Sequence, residues 1–189
     1  MASFLRESKY KNVLITGAPR EACYEQLRPV TSSTSESNML SANSKFLAYI
    51  DAAGGGSALA VLPLSSVGKN HIPITSSAYQ MPLIRAHTCP VNDFMFNPFD
   101  DYILSSCAGD GVIKTWKVPS GGFIADCKES TSTINFSAAA PSLLGLNYHP
   151  CISSLLAVRS AKEVSVFDLE SGSSVYSTAT TDSVSADIM

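Results

Sequence analysis

The chain has 189 residues, 45% of them hydrophobic and 15% charged, with a formal net charge of −3 and a pI near 5.5. That balance suits a folded core rather than a disordered chain, and the totals carry no basic excess of the kind nucleic-acid binding requires. The charge is uneven: residues 1–28 hold five basic and three acidic side chains, while the remainder holds eight and thirteen. Contact with an acidic partner is therefore expected near the N-terminus. Residues 1–12 are charged and lack the apolar core of a signal peptide, and no run approaches the roughly 18 apolar residues a membrane helix needs. Five dispersed cysteines, Cys23, Cys89, Cys107, Cys127 and Cys151, contain no C-x-x-C pair. They read as buried free thiols in a reducing, cytoplasmic setting.

In chain order, the first strands are expected at 45–50 and 57–64. The glycine-rich stretch 51–56 between them reads as a hairpin turn. Further apolar or alternating runs lie at 91–96, 102–107, 112–116, 143–148, 155–158 and 164–167, most of them bounded by Pro, Gly, Asp or Ser. No stretch has the 3.6-residue periodicity of an amphipathic helix. Many short, closely spaced strands predict an all-β sandwich, barrel or propeller.

An internal repeat decides among these. Asn97 and Pro98 follow one strand, and His149 and Pro150 follow another 52 residues later. Trp116 and Lys117 end a strand in the second unit of the chain; Phe167 and Asp168 end one in the third. The longer period comes from residues 119–141, read as an outer strand plus a surface loop.

The unit from Ile84 to Val118 looks like a WD repeat. Ala86 and His87 stand where that family has Gly-His, Trp116 and Lys117 where it has Trp-Asp, and Asp110 lies six residues before Trp116. The resemblance implies a buried network in which Asp110 orients His87, which reaches the Ser106 (or Ser105) hydroxyl and then Trp116. Buried imidazole and indole groups need partners, and such a network supplies them together. In the third unit Ala161 replaces the aspartate and Phe167 the tryptophan, so that unit is expected to lack a polar network and rely on packing. The first unit shows none of the four residues.

With the preceding residues, this pattern resembles the coronin family. Ser8, Lys9, Tyr10, Lys11 and Asn12, then Ala22 to Arg28, are similar to the coronin N-terminal extension. Lys45 to Ala48, Gly54 to Gly56 and Leu62 to Leu64 are similar to its first blade. Asn97 to Asp101 and the degenerate third unit look more like the tandem-propeller coronins than the short ones. The resemblance implies an all-β, partial seven-bladed propeller with about three blades. Its expected divisions are 1–42 for the extension and start of blade one, and 43–85 for the rest of that blade. The WD repeat of blade two takes 86–130, a degenerate blade three 131–180, and the start of blade four 181–189. Seven blades need on the order of 300 residues. The chain is accordingly expected to be the opening part of a propeller, with exposed apolar side chains after blade three.

The resemblance also implies filamentous actin as partner, with Arg28 at the position of a coronin arginine that binds filaments, and a place in the cytoplasm and cytoskeleton. Pro29 and the polar run 32–37 depart from the family pattern beside it. No heptad pattern supports the coiled coil of short coronins. A scaffold that binds other proteins through propeller surfaces in vesicle or Golgi traffic is the other reading. Catalysis by His87, Asp110 and Ser106 is not expected, because the WD spacing accounts for all three. No cofactor or metal is expected, since His71, His87 and His149 do not fall at ligand spacing with any cysteine.

Overall fold

The structure is a computed structural model that describes residues 17–31, 38–52, 55–69, 81–136 and 142–179. The expectations resting on residues 8–12, 32–37, His71 and 181–189 lie outside the described residues. A short 3₁₀ turn (Arg20–Ala22) precedes β1 (Tyr24–Glu25), β2 (Leu40–Ala42), β3 (Phe46–Asp51), β4 (Ala58–Pro63), β5 (Gly68–Lys69) and β6 (Leu83–Ile84). Then come β7 (Val91–Phe96), β8 (Ile103–Ala108), β9 (Val112–Lys117), β10 (Ser132–Asn135), β11 (Leu143–Tyr148), β12 (Leu155–Ser160), β13 (Glu163–Asp168) and β14 (Ser173–Ala179). Among the described residues there is no α-helix.

These strands form three four-stranded antiparallel sheets, ordered β2-β3-β4-β6, β7-β8-β9-β10 and β11-β12-β13-β14, with a small parallel pair of β1 and β5 beside the first. Tight turns join most neighbouring strands within a sheet, while longer connections lead from β4 past β5 to β6 and from β9 to β10. At the β8–β9 turn, Asp110 Oδ1 accepts the Val112 amide at 3.2 Å, and Gly111 takes a φ of 73°, a conformation that glycine adopts without steric cost.

The sheets stack face to face. Phe46, Ile50 and Val61 of the first meet Phe94, Leu104 and Trp116 of the second. Cys107 and Ile113 of the second meet Leu146, Leu156 and Phe167 of the third. A fully buried Leu or Phe in such a layer contributes about 1.5–3 kcal/mol relative to exposure. The other face of the first sheet, with Tyr49, Ala60 and Leu62, is covered by Tyr24, Leu27 and Met81. Burial on two faces explains why β3 and β4 read as nearly continuous apolar runs rather than alternating ones.

Backbone bonds give the three sheets one register. Val118, Leu64 and Leu169 donate to the carbonyls of Tyr102, Lys45 and Ser154 in turn. Trp116 is therefore matched by Leu62 and Phe167, and Ser106 by Tyr49 and Val158.

Three expectations need correction. The division at 130/131 cuts the second sheet, because β10 pairs with β9 and closes that sheet at Asn135. The stretch after Pro119 is more than an outer strand and surface loop. Cys127 bridges Ile84 in parallel, its amide donating to the Leu83 carbonyl at 2.9 Å, so the second sheet's loop extends the outer edge of the first. That arrangement covers an edge otherwise open to pairing. The thiols are not uniformly buried either. Cys107 is, but Cys23 and Cys151 are exposed, because their turns lie outside the stacked faces.

Candidate functional site

In the second sheet, β8 and β9 and the segment before β7 bring four predicted side chains into one chain of hydrogen bonds. Trp116 Nε1–H donates to Ser106 Oγ at 3.0 Å. Ser106 lies 3.0 Å from His87 Nε2, and His87 Nδ1 lies 2.9 Å from Asp110 Oδ2. A carboxylate accepts at Nδ1, so that nitrogen carries the proton; Nε2 then accepts from the serine hydroxyl. Every polar atom in the chain has a partner, which is the condition for burying an imidazole and an indole without penalty. Burial holds the His87 pKa below the ordinary imidazole range, opposed by the Asp110 bond. The ring is thus neutral near pH 7. Ser106 is fully buried and both its neighbours are structural, so its hydroxyl does not meet solvent as a nucleophile would.

The third sheet carries Val158 and Phe167 at the places of Ser106 and Trp116. Contrary to the expectation, it does not rely on packing alone. Ser160 Oγ accepts the amides of Lys162 and Glu163 at 3.2 and 2.9 Å, doing at that turn what Asp110 does in the second sheet. The Glu163 carboxylate accepts from the Ser165 hydroxyl at 2.9 Å and also from Ser177. The aspartate is lost, but a serine takes over its bond to the turn.

Several residues tie neighbouring sheets, and of these the sequence singled out Asn97 alone, as the start of an x-Pro turn. Asn43 Nδ2 donates to the Asp101 carbonyl at 2.8 Å, and Asn97 Nδ2 to the Ser153 carbonyl at 3.2 Å. Asn92 Nδ2 donates to the Leu143 carbonyl at 2.6 Å. The buried Asp93 accepts the Leu146 amide at 3.0 Å and its neighbour Phe94's at 2.9 Å. Burial pushes the Asp93 carboxyl up from its usual range, and these amides oppose that shift. Asp126 clasps the first sheet through the Leu83 amide and, at 3.0 Å, Arg85 Nε. Asn43, unlike Asn97, gave no such signal beforehand, because the strand before it, β2, was not expected from the sequence.

Arg28 stands apart from this network. Its side chain is exposed, and its carbonyl accepts the Ala52 amide at 2.8 Å beside the β3–β4 turn. Pro29 pairs with Asp51, and the Val30 amide donates to the Ile50 carbonyl at 3.0 Å. The segment thus lies along the end of β3 with a fixed backbone. Among the described residues no cluster of three or more His, Cys, Asp or Glu side chains could hold a metal ion. None of the described helices is long and apolar enough to cross a membrane.

Comparison with known proteins adds to this picture. Residues 3–69 match a family described as a domain of unknown function, DUF1899. A coronin-like protein of Schizosaccharomyces pombe is 34% identical over 89% of this chain and 27% of its own length. Coronin-A of Dictyostelium discoideum is 38% identical over 65% of this chain and 25% of its own length. The crystal structure of the WD40 domain of Toxoplasma gondii coronin superposes with a TM-score of 0.71 at 27% identity, covering 85% of this chain and 39% of that one. A chain of the mitotic checkpoint complex, at 17% identity and a TM-score of 0.54, shares the fold alone. The three sheets are blades of the WD40 propeller type. The chain spans about a quarter of the length of these curated relatives.

Proposed function

This chain is coronin-family sequence, matching the N-terminal portion of those proteins, and from that premise we propose that it is a non-catalytic module that binds actin filaments through Arg28. The observation that carries the reading is Arg28 itself: an exposed residue whose carbonyl accepts the Ala52 amide just beyond β3, within the basic N-terminal segment. Actin presents an acidic surface, and a guanidinium can engage a carboxylate through two parallel hydrogen bonds. A side chain on a fixed base loses less entropy on binding than one on a loose tail. The activity needs no cofactor and would place the protein in the cytoplasm, at the cytoskeleton.

Co-sedimentation with actin filaments tests this. The chain is expected in the pellet, and Arg28→Asp is expected to shift it to the supernatant without changing its thermal melt. A wild-type chain that stays in the supernatant at every filament concentration would overturn actin binding. It would favour a protein-interaction scaffold in vesicle or Golgi traffic.

A further inference from the structure

Arg28, Pro29 and Val30 lie against the end of β3 as a short antiparallel pairing. The Arg28 carbonyl accepts the Ala52 amide at 2.8 Å, Pro29 bridges Asp51, and the Val30 amide donates to the Ile50 carbonyl at 3.0 Å. Val30 packs against the core shared by the first two blades, whereas Arg28, Pro29 and Thr31 are exposed. Proline at 29 also holds the residue before it extended. Thr31, directly after the Val30 bond, is the first hydroxyl residue beyond Arg28.

An arginine three residues before a serine or threonine is the pattern that basic-directed protein kinases read. Their acidic cleft pairs with the guanidinium while the substrate lies extended. Of the five arginines in the chain, Arg28 and Arg85 alone have a hydroxyl residue three positions on, Thr31 and Thr88. The structure separates the two. Ala86 and His87, between Arg85 and Thr88, are buried, and Arg85 Nε is held by Asp126 Oδ2 at 3.0 Å. A kinase cleft cannot take that stretch from the folded chain. From Arg28 to Thr31 three of four residues are exposed, and two backbone bonds to the end of β3 are few enough to open locally.

We propose that Thr31 is a phosphorylation site for a basic-directed protein kinase, and that its phosphate switches off the contact of Arg28 with an acidic partner. In the transfer, Thr31 Oγ1 bonds to the γ-phosphorus of ATP as the bond to the β,γ-bridging oxygen breaks. ADP leaves, and the hydroxyl proton passes to solvent. The product adds about −1.5 to −2 charge at pH 7. Three residues of extended chain span about 10 Å, so the phosphate lies within about one screening length of the guanidinium. It offsets the arginine's charge and repels an acidic surface. The switch rests on actin binding through Arg28; the site does not.

The test incubates the 189-residue chain with ATP, magnesium and a calmodulin-dependent protein kinase, and maps the product by tandem mass spectrometry. Phosphate is expected at Thr31, with Thr88 labelled only after denaturation. Arg28→Gln should cut incorporation at least about tenfold, since the paired guanidinium bonds are lost. Both forms are then co-sedimented with actin filaments at about 0.1 M salt, where the phosphorylated chain should bind about fivefold more weakly. Thr31→Val should bind as wild type does and be unaffected by the kinase. Phosphate absent from Thr31, found at Ser32 or Ser33 instead, or incorporated equally without Arg28 overturns the site. Equal binding of the two forms overturns the switch. An unmodified chain that never pellets with filaments overturns actin binding and the switch with it, while the mass spectrum still decides the site.

Discussion

The hydroxyl oxygens of Ser105 and Tyr148 lie 2.6 Å apart, buried at the boundary between the second and third blades. Ser105 also meets Thr115 Oγ1 at 3.1 Å, so one serine joins β9 to β11. Burial raises the Tyr148 pKa, against the effect of the Ser105 bond. Tyr148→Phe keeps the ring and leaves Ser105 with Thr115, so a loss of about 1 kcal/mol is expected in urea denaturation. A loss several times larger would show that Ser105 depends on the tyrosine for its position.

Asp110→Ala removes the acceptor of both His87 Nδ1–H and the Val112 amide. A cost of about 1–3 kcal/mol is expected, since a buried donor is left unmatched. In the third blade Ala161→Asp should stay within about 0.5 kcal/mol of wild type. Its turn amides already have Ser160, and Val158 and Phe167 offer no network to complete.

The depressed His87 pKa gives a pH signature. Burial is its main cause, with Lys114 adding to it and Asp110 opposing. The folded ring resists a proton that the unfolded ring accepts below about pH 6.5. The stability it lends is therefore present above that pH and declines as pH falls toward the lower folded value. The gap in Tm between wild type and His87→Gln should narrow on acidification through that window. A gap that widened instead would mean the ring is protonated in the folded state.

Thiol reactivity should divide by burial. Cys23 and Cys151 are exposed and should react first with a disulfide reagent. Cys107 is buried, and desolvation drives its pKa far upward, so it should react only after denaturation. Cys89 is half-buried and its pKa is also raised by desolvation, which should make it slower than the exposed pair. Modification of Cys107 in the native protein at the rate of Cys151 would contradict the packing between the second and third blades.

Actin binding through Arg28 should weaken as salt rises, because exposed ion pairs are screened within about 10 Å at 0.1 M. Arg28→Lys should recover only part of the affinity that Arg28→Asp loses, since an ammonium cannot reproduce the paired guanidinium bonds. Salt-independent co-sedimentation would remove this arginine from the interface.

The four-residue network of the second blade was expected from the resemblance to a WD repeat, and its central members do sit in one hairpin. Asp110 and Trp116 are six positions apart, and Ser106 faces them across the turn, so local spacing determines their meeting. Strand periodicity and turn residues alone also determined the all-β class and the two-unit repeat, while the count of about three blades came from the family resemblance. The joints between blades were decided only by the tertiary structure. Asn43 and Asp101 are 58 positions apart, and Asn97 and Ser153 are 56. No local pattern marks such partners, since each asparagine by itself reads as an ordinary turn residue. The same limit hid the Asp126 clasp, whose partners lie across a blade boundary, and the Ser160 substitute, where a hydroxyl one residue earlier does the work of the missing carboxylate. Local chemistry set the strands and turns; which carbonyl each spare donor reached depended on how the sheets stacked.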